Sequence, residues 1–206
     1  LWWLGAAVAA AELPLPSYEV ALAAEAEAEF WRRFTAGDVE AARAGAHSWR
    51  AVVADVPVVA ALEGTALRRL GRLVEAEPLL VDATTRAPEL ASAWVELGEI
   101  QLAGGRLAEA DASFAEAEAR GAAMPHPFVP SLRRAVIAGR NGDADALEDH
   151  LRAAVLRGCD LSALPLDAQW VALHGDPELA DRIDKIVTVY GDDAARRAFD
   201  RAPPTP

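Results

Sequence analysis

Four histidines, a single cysteine and one short run of asparagine and aspartate are among the residues of this 206-residue chain whose types and spacing could hold a metal or move a proton. His47, His126, His150 and His174 are well separated, and none has a second histidine or a cysteine at ligand spacing. Cys159 has no partner for an internal disulfide and reads as a free, buried thiol. Asn141-Gly142-Asp143-Ala144-Asp145 begins like a calcium loop, but Ala146 stands where such a loop needs glycine and Arg152 where it needs a bidentate acid. A turn plus a helix N-cap explains the run better. The sequence holds no phosphate-binding glycine loop, dinucleotide fingerprint, nucleophile elbow or zinc spacing. The expectation is therefore a non-enzyme without catalytic, cofactor or metal site.

Composition points the same way. The net charge is −12, from 20 basic and 32 acidic residues. Such a surface repels phosphate backbones, so nucleic acid is not an expected partner. Forty-eight residues are alanine, and a buried alanine contributes little transfer energy, since a methylene is worth only about 0.8 kcal/mol. Stability must come from many close helix contacts and from a few aromatics, among them Phe30, Trp31, Phe34, Trp94 and Phe114.

Residues 91–124 show how those contacts are made. They parse as two amphipathic helices broken at Gly104-Gly105. Trp94, Leu97 and Gly98 share a face of the first helix, and Leu107, Ala110, Phe114 and Ala117 form a stripe on the second. Gly98 and Ala110 allow close approach of the two axes. The pattern recurs at 34 residues: Gly105 maps to Gly71 and Gly37, Leu107 to Leu73 and Val39, Ala110 to Ala76 and Ala42, Phe114 to Leu80 and Ala46. Gly98 maps to Gly64 but then to Phe30, which makes the first unit degenerate. Gly142, Ala144, Leu147, Leu151 and Ala154 repeat the second-helix pattern 37 residues after the third unit, and the proline-marked segment 125–130 accounts for the slip.

This order of tryptophan, Leu-Gly, glycine turn, alanine, phenylalanine and alanine resembles the tetratricopeptide repeat, a helix-turn-helix unit of about 34 residues. Gln101 and Ala122 stand where an aromatic and a proline are usual. The resemblance implies an all-α, tetratricopeptide-like αα-superhelix of about four helix pairs with C-terminal capping helices. The units are expected at 23–56, 57–90, 91–124 and 128–161, within a repeat region of 17–161, with caps over 162–202 and a tail at 203–206. Trp94 is expected to be buried between the helices of unit three. Ser17 and Asp38 are expected N-caps, Val53 continues the stripe of the second helix, Pro78 should kink its helix, and Leu179, Ile183, Ile186 and Tyr190 should face the end of the stack.

The resemblance also implies function: a scaffold, or accessory subunit, that binds a protein segment in its concave groove. By the family's pattern the groove is bordered by Val58, Leu62, Arg68, Ser92, Val95, Glu96, Glu99 and Leu102, with Ala61 and Thr65 among them. Glu96 and Glu99 then suit an apolar segment carrying Lys or Arg, and the set does not match the family's carboxylate clamp. The apolar segment within residues 1–16, uncharged over 1–11, reads as the end of a membrane anchor or as a docking helix. That reading is similar to a membrane-anchored bacterial type of such protein, with the periplasmic or external side favoured over the cytoplasm. The alternative is the repeat module of a longer enzyme or regulator.

Overall fold

The computed structural model describes residues 18–52, 56–121 and 124–200, and among them there is no strand. The segment 1–16, Ser17, Val53, Ala122, residues 201–202 and the tail 203–206 lie outside the described residues. Eight helices follow in antiparallel pairs: α1 (Tyr18–Thr35) with α2 (Val39–Val52), α3 (Pro57–Arg69) with α4 (Leu73–Arg86), α5 (Ala91–Ala103) with α6 (Leu107–Arg120), and α7 (Val129–Arg140) with α8 (Ala144–Leu156). A 3-10 turn (Leu161–Leu166), α9 (Ala168–His174), α10 (Pro177–Tyr190) and α11 (Asp193–Asp200) close the C-terminal end. No helix among the described residues is long and apolar enough to cross a membrane.

The turn inside each pair is one repeated device. Gly37, Gly71, Gly105 and Gly142 have φ between +72° and +86°, a region that glycine enters without a Cβ penalty. The residue after each glycine donates its N–H to the carbonyl five positions back, as Arg72 does to Leu67 and Arg106 to Gln101, both at 2.9 Å. This 6→1 bond satisfies a carbonyl that the helix end leaves free and reverses the chain within three residues. Gly158, φ +93°, makes the same turn after α8, although no further full-length pair follows. Asp38 caps α2 through Ala41 N at 3.2 Å.

Packing within the pairs follows a notch-and-plug rule. A Cβ added to Gly64 would lie 2.8 Å from Leu80 Cγ, and one added to Gly98 would lie 2.8 Å from Phe114 Cε1, so each glycine is the notch for a plug sixteen residues later. In the first unit the sizes are exchanged. Phe30 stands at the notch position and Ala46 at the plug position, both buried in one cluster with Ala42, Leu62 and Ala66. The unit is inverted, not degenerate. Gln101, at the expected aromatic position, is buried and accepts a 2.7 Å hydrogen bond from Ser113 Oγ, which offsets the cost of enclosing its amide oxygen.

Trp94 departs from expectation. It is half-buried, packs on the cluster shared by α3, α4 and α5, and donates its indole N–H to the Pro88 carbonyl at 2.9 Å. It ties unit three to unit two and is not enclosed between α5 and α6. Trp94→Ala should therefore cost about 1.5–2.5 kcal/mol, half the loss of a fully buried large side chain, as read from denaturant midpoints. The backbone runs through Pro78 as a single helix from Leu73 to Arg86, with the neighbouring Val74 exposed to water.

The cap is fastened to α8. Leu179, Ile183, Ile186 and Val187 of α10 are buried with Leu147, Leu151, Trp170 and Leu173, whereas Tyr190, expected on that face, is 40% exposed and outside that cluster. At the edge of this cluster the Glu148 carboxylate, only 7% exposed, receives Arg152 at 2.7 Å and Arg182 and Lys185 at 2.8 Å each. Hydrogen bonds from Lys185 and Arg182 outweigh the effect of burial and hold its pKa at about 2.

Candidate partner-binding face

Helices α1, α3 and α5 adjoin one another directly, while α2, α4 and α6 meet chiefly through them. Helices α1, α3 and α5 are therefore the inner rank of the stack, where successive axes crowd together. α7 packs mainly on α6 and α8, and the 125–130 segment opens the inner rank between α5 and α7.

The expected groove residues divide into three groups. Leu62 and Leu102 are core side chains, 4% and 6% exposed, packed in the Phe30 and Phe114 clusters, and they present nothing to a groove. Ala61 and Thr65 are buried as well, with Thr65 Oγ1 bonded to the Ala61 carbonyl at 2.9 Å. Val58 is half-buried against Ala23, Ala26 and Val59.

The charged members face each other across the inner rank instead of facing outward to a partner. Arg68 Nε on α3 pairs with Glu96 Oε2 on α5, and Arg133 Nε on α7 lies 2.6 Å from Glu99 Oε1 on α5. Burial pushes the Glu96 carboxyl up against the pull of Arg68; burial also works against the Arg68 charge, and the bond to Glu96 more than restores it. Two carboxylates and two guanidiniums cancel here. The expected carboxylates flanking the groove are already matched from within, so a Lys or Arg on the partner finds no free acid at Glu96 or Glu99.

Ser92, Val95 and Glu96 do come together, in a shallow cavity of about 160 Å³ completed by Met124, Pro125, His126 and Val129. Its floor is apolar, because Val95 rests on the Phe114–Ile137 cluster, and Ser92, Glu96 and His126 form the rim. Met124, Pro125 and His126 escape a periodicity reading because they sit in the irregular segment ahead of α7, and Val129 only begins that helix. The chain's lone methionine, an adaptable gap-filler at binding surfaces, beside two prolines that stiffen the backbone was the available signal.

The residues singled out for chemistry are dispersed. His47 Nδ1 lies 2.9 Å from Glu63, which also pairs with Arg50 at 3.1 Å, and His174 Nε2 lies 2.9 Å from Asp184. Among the described residues no group of three or more His, Cys, Asp or Glu could hold a metal ion. Burial, with the nearby Asp160 charge, pushes the Cys159 thiol up to about 11, so it stays protonated near neutrality. Asp143 caps α8 through Ala146 N at 3.0 Å.

Paired helices, repeated glycine turns and an inner rank define a helical-repeat protein. The repeat is tetratricopeptide-like, and the whole is an all-α superhelix of that type. The fold is similar to a tetratricopeptide repeat protein from Parabacteroides merdae at 14% identity, with a TM-score of 0.55 over 87% of this chain and 65% of that one. It is also similar to PilW, described as a type IV pilus biogenesis factor, at 14% identity and TM-score 0.61 over 90% and 92% of the two chains. The nearly identical TPR-like repeats of a putative kinesin light chain from Podospora anserina give 16% identity and TM-score 0.58 over 91% and 95%. The chain thus spans just under two thirds of the first of these. No family model matches the sequence, and no curated protein does.

Proposed function

We propose that the protein is a non-enzymatic scaffold or accessory subunit that grips one apolar side chain of a partner segment in the Ser92–Val95–Glu96–Met124–His126 cavity. The observation that carries this reading is the combination of an apolar floor with an inner rank whose charges are already paired. A segment gains by burying carbon there and gains little from charge. Attachment to a membrane through the apolar 1–11 segment, on the periplasmic or external side, is part of the same proposal. PilW's pilus role stays with PilW, because a likeness at 14% identity is one of fold.

Selection from a random peptide library should return segments sharing one Leu, Ile, Met or Phe. Val95→Arg, which fills the cavity, should reduce their affinity at least tenfold, while Val74→Arg, at an outer position 88% exposed, should leave it unchanged. Circular dichroism melts of both variants separate blocking from unfolding. Retention of the selected peptides by a folded Val95→Arg protein would exclude this cavity as the site.

A further inference from the structure

The outer helices carry a second feature that is independent of the inner cavity. Between α4 and α6 the groove is closed by a bridge: Arg106, at the N-cap of α6, places Nη1 2.7 Å from Glu77 Oε1 on α4. One unit on, between α6 and α8, the residue at the Arg106 position is Asp143 and the residue at the Glu77 position is Asp111. Carboxylate now stands where guanidinium stood, the bridge cannot form, and an open cleft of about 520 Å³ remains.

The cleft is built like a receptacle for the missing group. Leu107, Ala108 and Ala146 give it apolar walls, and Ile137 of α7 lies at its floor. Its own cation, Arg134, is already shared, with Nε 2.9 Å from Asp111 Oδ1, Nη2 3.5 Å from Asp111 Oδ2 and Nη1 3.0 Å from Glu118 Oε2, so a second guanidinium would share Asp111 through its remaining lone pairs. Glu118 is shared in turn with Arg157 at 2.9 Å. The acids Asp111, Glu118 and Asp143 thus outnumber Arg134 and Arg157 by one. His150, half-buried on the α8 wall, adds no opposing charge near neutrality, because burial and the neighbouring Arg134 push its pKa down. Asp143 spends one oxygen on capping α8 and keeps the other.

We propose that the α6–α8 cleft receives an arginine side chain of a partner protein, whose guanidinium bridges Asp111 and Asp143 as Arg106 bridges to Glu77 in the preceding groove. Its methylene stem lies along Leu107, Ala108 and Ala146. The planar guanidinium meets two carboxylates from separate helices in a way an ammonium does not. A single cationic head on an apolar stem fits better than a polyamine, whose further charges would meet Arg134 and Arg157.

The test is a titration of the full chain with Nα-acetyl-arginine amide, followed by amide and imidazole NMR signals. Saturable shifts are expected at Ala108, Ala146 and His150, at least tenfold weaker with the neutral isostere Nα-acetyl-citrulline amide. Asp143→Asn retains a capping side chain and should weaken binding at least tenfold with the remaining spectrum unchanged. Asp143→Arg, which supplies the bridge from within, should abolish binding. Equal binding of citrulline, undiminished binding by the folded Asp143→Asn protein, or survival of binding in a folded Asp143→Arg protein would each overturn the proposal. Tighter binding of spermidine than of the arginine amide would replace a side-chain site with a polyamine site and overturn it equally.

Discussion

Replacing Phe114 by alanine should lower the unfolding free energy by about 3–5 kcal/mol, the range for a large side chain removed from a core that relaxes only in part. The ring is fully buried and fills the notch over Gly98, and the same cluster carries Leu102, Ala110 and Ile137, so its loss loosens α5 from α6 and unit three from α7. Phe114→Leu reproduces the pairing of Leu80 over Gly64 and should cost only about 1 kcal/mol. Denaturant midpoints of the two variants measure the difference. A loss below about 1 kcal/mol for the alanine variant would mean that the notch closes without its plug, and that notch-and-plug packing is not what holds the pair.

Glu148→Gln should also destabilise, by less, and with a loss that depends on pH. The wild-type carboxylate faces Arg152, Arg182 and Lys185, and removing its charge leaves three cations converging at the junction of α8 and α10. Those three keep contact with water, so a loss of about 2 kcal/mol at neutral pH is expected, below the about 3–5 kcal/mol of a fully enclosed pair. The folded pKa of about 2 lies below the ordinary value of 4.5. This stabilisation is therefore complete above pH 4.5 and is lost as the pH falls from there through about 2. The stability gap between wild type and Glu148→Gln, measured by urea unfolding at successive pH values, should shrink over that window. A gap that stays constant down to pH 2 would show that Glu148 acts through packing and not through charge.

The pair turns were legible in the sequence because only one residue type enters a φ near +75° without strain, so glycine at a fixed spacing has few other meanings. The inversion of unit one was not. Reading position by position makes Phe30 a lost glycine, whereas packing conserves the summed volume of Phe30 and Ala46. The groove was the least legible part. α5 is buried on several sides, and its apolar pattern does not separate Leu102, which faces α6, from Val95, which borders the cavity. Nor does sequence give the rotation of one unit on the next, which brings Arg68 to Glu96 and Arg133 to Glu99 and cancels the charges expected to greet a partner. The family resemblance supplied the architecture; it left open which side chains that rotation consumes.

The three-residue slip ahead of α7 sets a length. Helices α1, α3 and α5 share one phase, and at about 9 Å per helix they form a uniform track of about 27 Å, which an extended chain at about 3.3 Å per residue covers in about eight residues. Beyond α5 the phase changes, so a longer segment would have to shift its own side chains to continue. The small cavity stands at that discontinuity. Under the function proposed above, the inner face would act as a ruler with a stop at one end: its occupant would be about eight residues long, with the anchoring side chain at the terminus and not at the centre.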